Sequence, residues 1–400
     1  MSEIKFIVIG IDDHPRPWFP PHVKEMIQYH SVFSGGVRHQ EIVSSYLPEG
    51  SRWIPVVTPL DEVFRQYESC REVVVFASGD PLFFGFANTI RKRLPTAEIE
   101  VYSSFNSLQL LAHRLLLPYQ DMHVVSLTGR PWDKLDEALI SGYEKIGILT
   151  DREHTPCAIA RYMLRYGYDN YKITVGELLG NPEKENISAF TLQEILDKKF
   201  TFPNNVLLEK LSSRSRPFGI PESEFHLLDG RTRMITKMPI RLLSLSLLDL
   251  REKQVFWDIG FCTGSVSIEA KIQFPHLKIY AFEQREQGKE ILDRNMRTFG
   301  TPGIIPVTGD FTETDVSAYA CPDAVFIGGH GGKMPEIICK IKRILRPGGV
   351  IVFNSVSAES RDMFQEAASS NQLHIEKSIQ IKIDDHNPIE VIKAVLEKSN

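Results

Sequence analysis

Residues 257–265 read Trp257-Asp258-Ile259-Gly260-Phe261-Cys262-Thr263-Gly264-Ser265, and this segment decides the fold of the second half of the chain. The apolar run 255–259 predicts a buried strand, and the residues after Gly264 predict a helix. The turn between them lies where a doubly wound sheet binds its ligand. Glycines at such a turn let the main chain approach a ligand and leave helix N–H groups free to meet its polar atoms.

The glycine spacing separates two nucleoside cofactors. A dinucleotide turn would have glycines at 260, 262 and 265, whereas the S-adenosylmethionine turn has them at 260, 262 and 264. Gly260, Cys262 and Gly264 match the second spacing with one substitution. Glu283 ends the next predicted strand, where an acid accepts hydrogen bonds from ribose hydroxyls, and Asp310 ends the third, where it can meet an adenine amine. A plain strand-end turn explains any one of these residues, but not their order.

The rest of the chain alternates apolar strand-like runs with helical stretches, which predicts an α/β layer in each half. Five more strands are predicted in the first half after residues 5–9, and four more in the second half after residues 255–259. Ser, Arg, Pro and Gly are concentrated around residues 212–221, as in a solvated connection. We therefore predict a first domain over residues 1–208, a linker over 209–217 and a second domain over 218–400.

Composition narrows the function classes. The 400 residues are 42% hydrophobic and 24% charged, close to an average globular chain. A formal charge of -5 provides no long-range positive field, so we expect no nucleic-acid partner. The five cysteines lie far apart without metal-ligand spacing, which predicts a reducing compartment and no metal site. No apolar run reaches the ~20 residues of a membrane span, so we expect a cytoplasmic protein without a membrane partner.

Further motifs of the second half carry a resemblance. The segment DAVFIGGHGG at residues 323–332, with Met234-Ile235-Thr236-Lys237, Arg241 and Asn387-Pro388-Ile389, resembles the decarboxylating corrin methyltransferase domain of cobalamin biosynthesis, a Rossmann-like class I fold. The resemblance implies that S-adenosylmethionine contacts the turn and strand ends at Thr236, Asp258, Gly260, Cys262, Gly264, Glu283, Asp310 and Gly328.

The first half resembles the class III tetrapyrrole methyltransferases, which are built from two α/β subdomains. The resemblance rests on six short motifs in order, which read GGVRH at 35–39, SGDP at 78–81, NSLQL at 106–110, SLTGRP at 126–131, LTD at 149–151 and GELLG at 176–180. It implies that S-adenosylmethionine lies folded in a cleft near Gly79, Asp80 and Ser107. An Asp in an S-G-D-P turn also accepts local backbone N–H groups without any ligand.

The two resemblances together imply an enzyme that methylates two carbons of a corrin precursor and removes an acetate carboxyl, with a small-molecule tetrapyrrole as substrate and a homo-oligomeric assembly. Such a substrate carries many carboxylates, which call for fixed cations. The second half offers Arg231, Arg233, Lys237 and Arg241, and the first half offers Arg38 with His39. A solvated basic face competes with this interpretation. His330 is a candidate for proton transfer, against a surface-loop histidine without a role.

Three alternatives stay open at this point. A dehydrogenase would use a similar turn, but this chain has Ser265 where the dinucleotide turn has its third glycine. A nucleic-acid methyltransferase is disfavoured by the negative charge. A third possibility is that only one half is catalytic and the other is a tetrapyrrole-binding module.

Overall fold

The computed structural model describes residues 4–229, 234–383 and 387–397. Its strands are β1 Lys5–Ile11, β2 Val32–Gly35, β3 Arg52–Pro55, β4 Glu72–Ser78, β5 Glu98–Tyr102, β6 His123–Ser126, β7 Lys145–Leu149, β8 Tyr171–Glu177, β9 Asn186–Thr191, β10 Asn204–Lys210, β11 Val255–Ile259, β12 Lys278–Glu283, β13 Ile304–Thr308, β14 Ala324–Ile327, β15 Val350–Ser355, β16 Leu373–Ile381 and β17 Ile389–Leu396. Its α-helices are α1 Pro21–Tyr29, α2 Val37–Val43, α3 Leu60–Tyr67, α4 Phe86–Arg93, α5 Ser107–Arg114, α6 Asp133–Ser141, α7 Pro156–Arg165, α8 Met238–Leu248, α9 Ser265–Gln273, α10 Glu286–Phe299, α11 Met334–Ile344 and α12 Ala358–Ser370.

The chain forms two compact units. The first contains the residues up to Arg130 with Tyr143–Arg161 and Tyr171–Leu211, and the second contains Pro131–Gly142, Tyr162–Asn170 and the residues from Ser212 onward. The domain limits predicted from the linker composition stay a prediction. Within the described residues, no helix is both long and apolar enough to span a bilayer.

The first unit contains two five-stranded sheets. One sheet has the order β3-β2-β4-β1-β5 and is entirely parallel. The other has the order β6-β7-β10-β8-β9, in which only β6 and β7 run parallel. β1 and β4 are almost continuously apolar and buried because helices cover both faces of a parallel sheet. Asn106 caps α5 by accepting the Gln109 N–H at 2.9 Å, which sets the position of Ser107 at the helix start.

The second unit is one seven-stranded sheet with the order β13-β12-β11-β14-β15-β17-β16. The first five strands in this order run parallel, whereas β17 runs antiparallel to both of its neighbours. The all-parallel order of a dinucleotide fold lacks such an inserted strand. The chain reverses direction of winding between β11 and β14, so ligands are expected at the carboxyl ends of these two strands. Apolar cores fill both faces of the sheet.

The structure confirms the predicted α/β class in both halves, and it adds strands that the sequence pattern did not reveal. These are β2, β3, β9, β10 and β16, with only the start of β17 anticipated. β2 and β3 have four residues each, too few for a periodic pattern, and β9 and β16 are edge strands with mostly exposed or half-exposed side chains. The helical spacing of apolar residues over 241–251 predicts a helix, and the structure places α8 over Met238–Leu248, three residues earlier at each end.

Candidate active sites

The predicted glycine turn of the second unit is built on close backbone contact. Gly260 has φ of +72°, and a Cβ at this position would lie 2.8 Å from the Gly329 nitrogen and 2.9 Å from its oxygen. A Cβ on Gly328 would lie 2.9 Å from the Gly260 oxygen. The ends of β11 and β14 therefore approach each other only because neither carries a side chain there. They form one wall of a cavity of about 900 Å³.

Glu283 lies at the end of β12 beneath the same cavity and is 4% exposed. Its Oε2 accepts the Cys262 N–H at 3.0 Å, and its Oε1 accepts the Arg285 N–H at 3.1 Å. Cys262 itself has φ of +53°, so this carboxylate holds the turn in a left-handed conformation that a non-glycine residue seldom adopts. Oε1 also accepts Arg285 Nη1 at 3.2 Å, so it is Oε2 that keeps a second lone pair for a ligand hydroxyl.

The thiol of Cys262 also has a partner, because it donates to the Met234 carbonyl at 2.9 Å. Burial raises the pKa of this thiol to about 11, so it stays protonated at neutral pH. Cys262 thus ties the glycine turn to the segment that precedes α8.

Asp258 is the most deeply buried acid of the cavity wall, with 1% of its surface exposed. Its Oδ2 accepts the Ser267 hydroxyl at 2.6 Å, while its Oδ1 has no hydrogen-bond partner within the described part of the chain. Burial raises the pKa of this carboxyl to about 7. A positively charged ligand group nearby would restore the ionised form.

Two residues of the predicted second site do not meet the cavity. Gly264 starts α9 with φ of +74°, and a Cβ there would lie 2.4 Å from Cδ1 of Leu292. It is needed for helix packing and is not among the cavity-lining residues. Arg241, predicted as a cation for substrate carboxylates, is fully buried and pairs with Glu269 at 3.0 Å. That prediction is wrong, because a guanidinium with 0% exposure cannot reach a substrate.

Arg241 instead holds the cavity wall in position. Its Nη1 donates to the Thr236 carbonyl at 2.7 Å, and its Nη2 donates to the Ile220 carbonyl. Glu269 accepts the Gly219 N–H at 2.7 Å and the Ile220 N–H at 3.1 Å. Thr236 and Lys237, both predicted site residues, line the cavity. Arg231 and Arg233 lie outside the described residues.

The predicted residues that follow β13 and β14 line the cavity as well. Asp310 pairs with Lys333 at 2.6 Å and accepts the Thr312 N–H and hydroxyl, and these contacts, the lysine foremost, lower its pKa to about 2. His330 Nδ1 accepts the Gly332 N–H at 3.2 Å, and burial lowers the pKa of its ring. The neutral ring therefore carries its proton on Nε2.

On the other side of this cavity, sequence reasoning singled out only the Asn387-Pro388-Ile389 motif. Its lining there consists of side chains at or beyond the ends of β15 and β16 and at the start of β17, namely Asn354, Val356, Ile381, Ile383 and Ile389. The one further signal was the end of the apolar run 350–353, which predicts a strand, since the β16 pattern does not indicate which face meets a ligand.

The first unit contains a hollow of its own, of about 390 Å³, lined by residues from both of its sheets. We call it the first hollow. A Cβ on Gly10 would lie 1.8 Å from the Gly79 oxygen, and a Cβ on Gly79 would lie 2.7 Å from Cα of Asn106. The main chain thus forms the floor here too. Gly79 and Ser107 line this hollow, as predicted, whereas Asp80 does not. Asp80 Oδ1 accepts the Leu82 N–H at 2.8 Å and so stabilises the turn, which corrects its assignment as a cofactor contact.

Arg38 and His39 line the first hollow, but neither is a free cation. Arg38 forms an ion pair with the buried Asp13 and donates to the Ser78 hydroxyl at 3.0 Å. His39 accepts the Gly36 N–H and contacts the same hydroxyl at 2.9 Å. Burial, with Arg38 nearby, lowers the pKa of His39 to about 4, so the ring is neutral at pH 7.

Comparison with known proteins assigns a methyltransferase family to each half of the chain. Residues 25–196 match the family described as Tetrapyrrole (Corrin/Porphyrin) Methylases, and residues 228–394 match the Precorrin methyltransferase domain. The fold and the sites define an S-adenosylmethionine-dependent methyltransferase with a class III and a class I domain. A precorrin-6Y C(5,15)-methyltransferase [decarboxylating] of Sinorhizobium sp. is 30% identical over 356 residues, which are 88% of this chain and 84% of that protein. The chain belongs to this family of decarboxylating precorrin methyltransferases.

Two further proteins match part of the chain. A cobalt-precorrin-6B C(15)-methyltransferase (decarboxylating) of Salmonella typhimurium is 37% identical over 135 residues, which are 33% of this chain and 68% of that protein. A solved precorrin-6y C5,15-methyltransferase structure from Geobacter metallireducens GS-15 is 31% identical and covers 47% of this chain and 100% of its own, with a TM-score of 0.42.

Proposed function

We propose that this chain methylates precorrin-6Y, or its cobalt form, at carbons 5 and 15 and removes the ring C acetate carboxyl as carbon dioxide, in cobalamin biosynthesis. The observation that carries the proposal is the pair of glycine-floored hollows, one in each unit. We assign carbon 5 to the first unit, and carbon 15 with the decarboxylation to the second. The five cysteines, all free, support a cytoplasmic location, and a homo-oligomer remains part of the proposal.

The cavity of the second unit has the polar groups and the backbone surface that S-adenosylmethionine needs. Gly260 and Gly328 form a backbone surface that any Cβ would fill. Oε2 of Glu283 can accept a ribose hydroxyl, and the unpartnered Oδ1 of Asp258 suits a positive charge. When bound, this cofactor supplies an electrophilic sulfonium methyl. The chain's own residues must therefore position the acceptor and move protons, and alignment alone can lower the barrier by about 7–11 kcal/mol.

The decarboxylating step balances without an oxidant. The bond between the acetate methylene and its carboxylate breaks, carbon dioxide leaves, and the electron pair passes through the conjugated ring to carbon 15. That carbon forms its bond to the methyl while the sulfur–carbon bond breaks toward sulfur. A proton then leaves carbon 15 and another joins the methylene carbon, so the cavity needs a group that exchanges protons. We assign this role to His330, with Lys237 as a contact for substrate carboxylates.

Replacing His330 by alanine is expected to slow carbon dioxide release and carbon 15 methylation by about 100-fold, because a positioned acid–base group contributes at least that much. Affinity for S-adenosylhomocysteine should stay the same, since the imidazole is assigned to the acceptor. Rapid-quench measurement of both products checks the rate, and calorimetry checks the affinity. An unchanged methylation rate would remove His330 from the mechanism.

Binding of S-adenosylmethionine to the second unit is expected to strengthen as the pH rises through about 7. The pKa of Asp258 is raised to about 7 by burial, so the carboxyl is neutral below this pH and attracts a cation only above it. Calorimetry between pH 6 and 8 measures the change in a Gly79→Ala background, where the new Cβ would clash with the Asn106 backbone and is expected to distort the first hollow. Asp258→Asn should abolish the pH dependence, and a dependence that persists in this variant would contradict the assignment.

The proposed function is tested with the full chain, methyl-labelled S-adenosylmethionine and metal-free or cobalt-containing substrate. We expect two labelled methyl groups and one carbon dioxide per macrocycle, and two S-adenosylhomocysteine sites per chain by calorimetry. One methyl group and one site would support the alternative in which only one half is catalytic. No transfer to either substrate would refute the proposal.

A further inference from the structure

A third cavity, of about 640 Å³, lies in the first unit and shares one wall with the first hollow. Phe83, Phe84 and Gly85 line both spaces. The other residues that line it are Leu60, Leu82, Asn88, Thr89, Lys92, Arg93 and Arg130. We call this space the Arg130 groove. It combines an apolar and aromatic floor with three cations and contains no acidic residue in its lining.

Arg130 is held in a fixed position at the end of the loop after β6. Its Nη1 donates to the buried Ser126 hydroxyl at 2.5 Å and to the Thr128 carbonyl at 3.3 Å. The guanidinium carbon lies 5.2 Å from the centre of the Phe84 ring. Its Nε and Nη2 groups donate to no acceptor in the described part of the protein, so three N–H donors remain for a ligand.

The loop that carries Arg130 is itself rigidly anchored. Asp151 accepts the Gly129 N–H at 2.8 Å and the His154 N–H at 2.6 Å, and Thr128 donates its hydroxyl to the Thr150 carbonyl at 3.1 Å. An arginine set in this way loses little side-chain freedom when it binds an anion. This is the expected construction for a recognition residue.

Among the described residues, neighbouring acids neutralise only one of the three cations in the groove. Arg93 pairs with Asp61 at 2.6 Å, which accounts for one of the three cations. Lys92, in the last turn of α4, forms no ion pair among the described residues. Lys92 and Arg130 thus leave two positive charges at the edge of a surface that also exposes 53% of Leu82 and 47% of Phe84.

We propose that the Arg130 groove binds the carboxylate-bearing edge of the tetrapyrrole that is methylated in the first unit. This inference rests on the proposed function. A tetrapyrrole has a flat apolar face and peripheral carboxylates, and it therefore matches a groove with an aromatic floor and unpaired cations beside it. Because Phe83, Phe84 and Gly85 line both spaces, a macrocycle held in the groove would lie directly beside the cofactor hollow. Arg130 and Lys92 are specificity-determining residues in this arrangement.

The test is titration of the full chain with uroporphyrin I, an octacarboxylic porphyrin, followed by fluorescence. The double variant Lys92→Gln/Arg130→Gln should bind the porphyrin at least about tenfold more weakly, because charge-assisted contacts to carboxylates are lost. The matched control is Arg71→Gln/Arg91→Gln, which removes the same net charge from exposed positions of the same unit that do not line the groove. Its affinity should stay within about twofold of the wild type.

A second readout uses turnover of the corrin substrate. In the groove variant we expect a raised KM for carbon 5 methylation with little change in kcat, and unchanged affinity for S-adenosylhomocysteine, which also reports on folding. Equal porphyrin affinity in wild type and variant, or an equal loss in the charge-matched control, would overturn the groove assignment. Failure of the proposed function would appear differently, as absence of methyl transfer by the wild-type chain.

Discussion

Gly260→Ala is expected to weaken cofactor binding in the second unit strongly and, with it, to slow carbon 15 methylation and carbon dioxide release. The new Cβ would lie within 3 Å of the Gly329 backbone. The alanine would also have to keep a φ of +72°, which residues with a side chain disfavour. Left-handed strain and overpacking each cost about 1–3 kcal/mol, so affinity should fall by about 30-fold or more. The ends of β11 and β14 can relieve this strain only by moving apart, which removes the backbone surface that receives the cofactor.

Carbon 5 methylation should persist in this variant, because the first unit has its own glycine-floored hollow. Product analysis by mass spectrometry separates the two reactions, and calorimetry with S-adenosylhomocysteine counts the remaining sites. Gly332→Ala is the matched control: it adds the same methyl group at a residue that also has a left-handed φ, of +84°, but where a Cβ meets no atom within 4 Å and which does not line the cavity. We expect at most a few-fold effect there. Gly260→Ala with wild-type affinity would show that the turn does not receive the cofactor.

Glu269→Ala is expected to destabilise the second unit by about 3–5 kcal/mol, the usual result of leaving one charge of a buried pair without its partner. Arg241 and Glu269 are both fully buried, and Glu269 also accepts two backbone N–H groups, from Gly219 and Ile220. Because Arg241 in turn holds the Thr236 carbonyl, cofactor affinity in this unit should weaken as well. Thermal unfolding, followed by calorimetry, measures the loss of stability.

The double variant Arg241→Met/Glu269→Leu should be less destabilised than Glu269→Ala, because it leaves no unpaired buried charge. The control is Glu376→Ala, which breaks the pair that Glu376 forms with Lys393 at 3.0 Å while 42% of the Glu376 side chain is exposed. Such a pair contributes less than about 1 kcal/mol. If Glu269→Ala unfolds no earlier than Glu376→Ala, the buried pair does not hold this part of the structure.

The fold class of both halves and the position of the glycine turn after β11 could be predicted from the sequence alone. Buried strands reveal themselves through continuous apolar runs, as in β4 and β11, and the glycine spacing from Gly260 to Gly264 depends only on neighbouring residues. For the same reason the acid at Glu283 could be predicted, since a strand end is a local feature. The short motifs of the first half likewise identified Gly79 and Ser107 at the first hollow.

Which polar side chains are available to a ligand depends on the tertiary structure. The sequence predicts Arg241 as a substrate contact, but in the structure its partner is Glu269, 28 residues away. Asp80 stabilises a turn, and Gly264 allows a close helix contact. The sequence does not show that the Arg130 guanidinium lies beside the Phe84 ring, because the two residues are distant in sequence. The physical reason is that the backbone pattern is set by neighbouring residues, whereas burial and hydrogen-bond partners are set by segments that meet only when the sheets assemble.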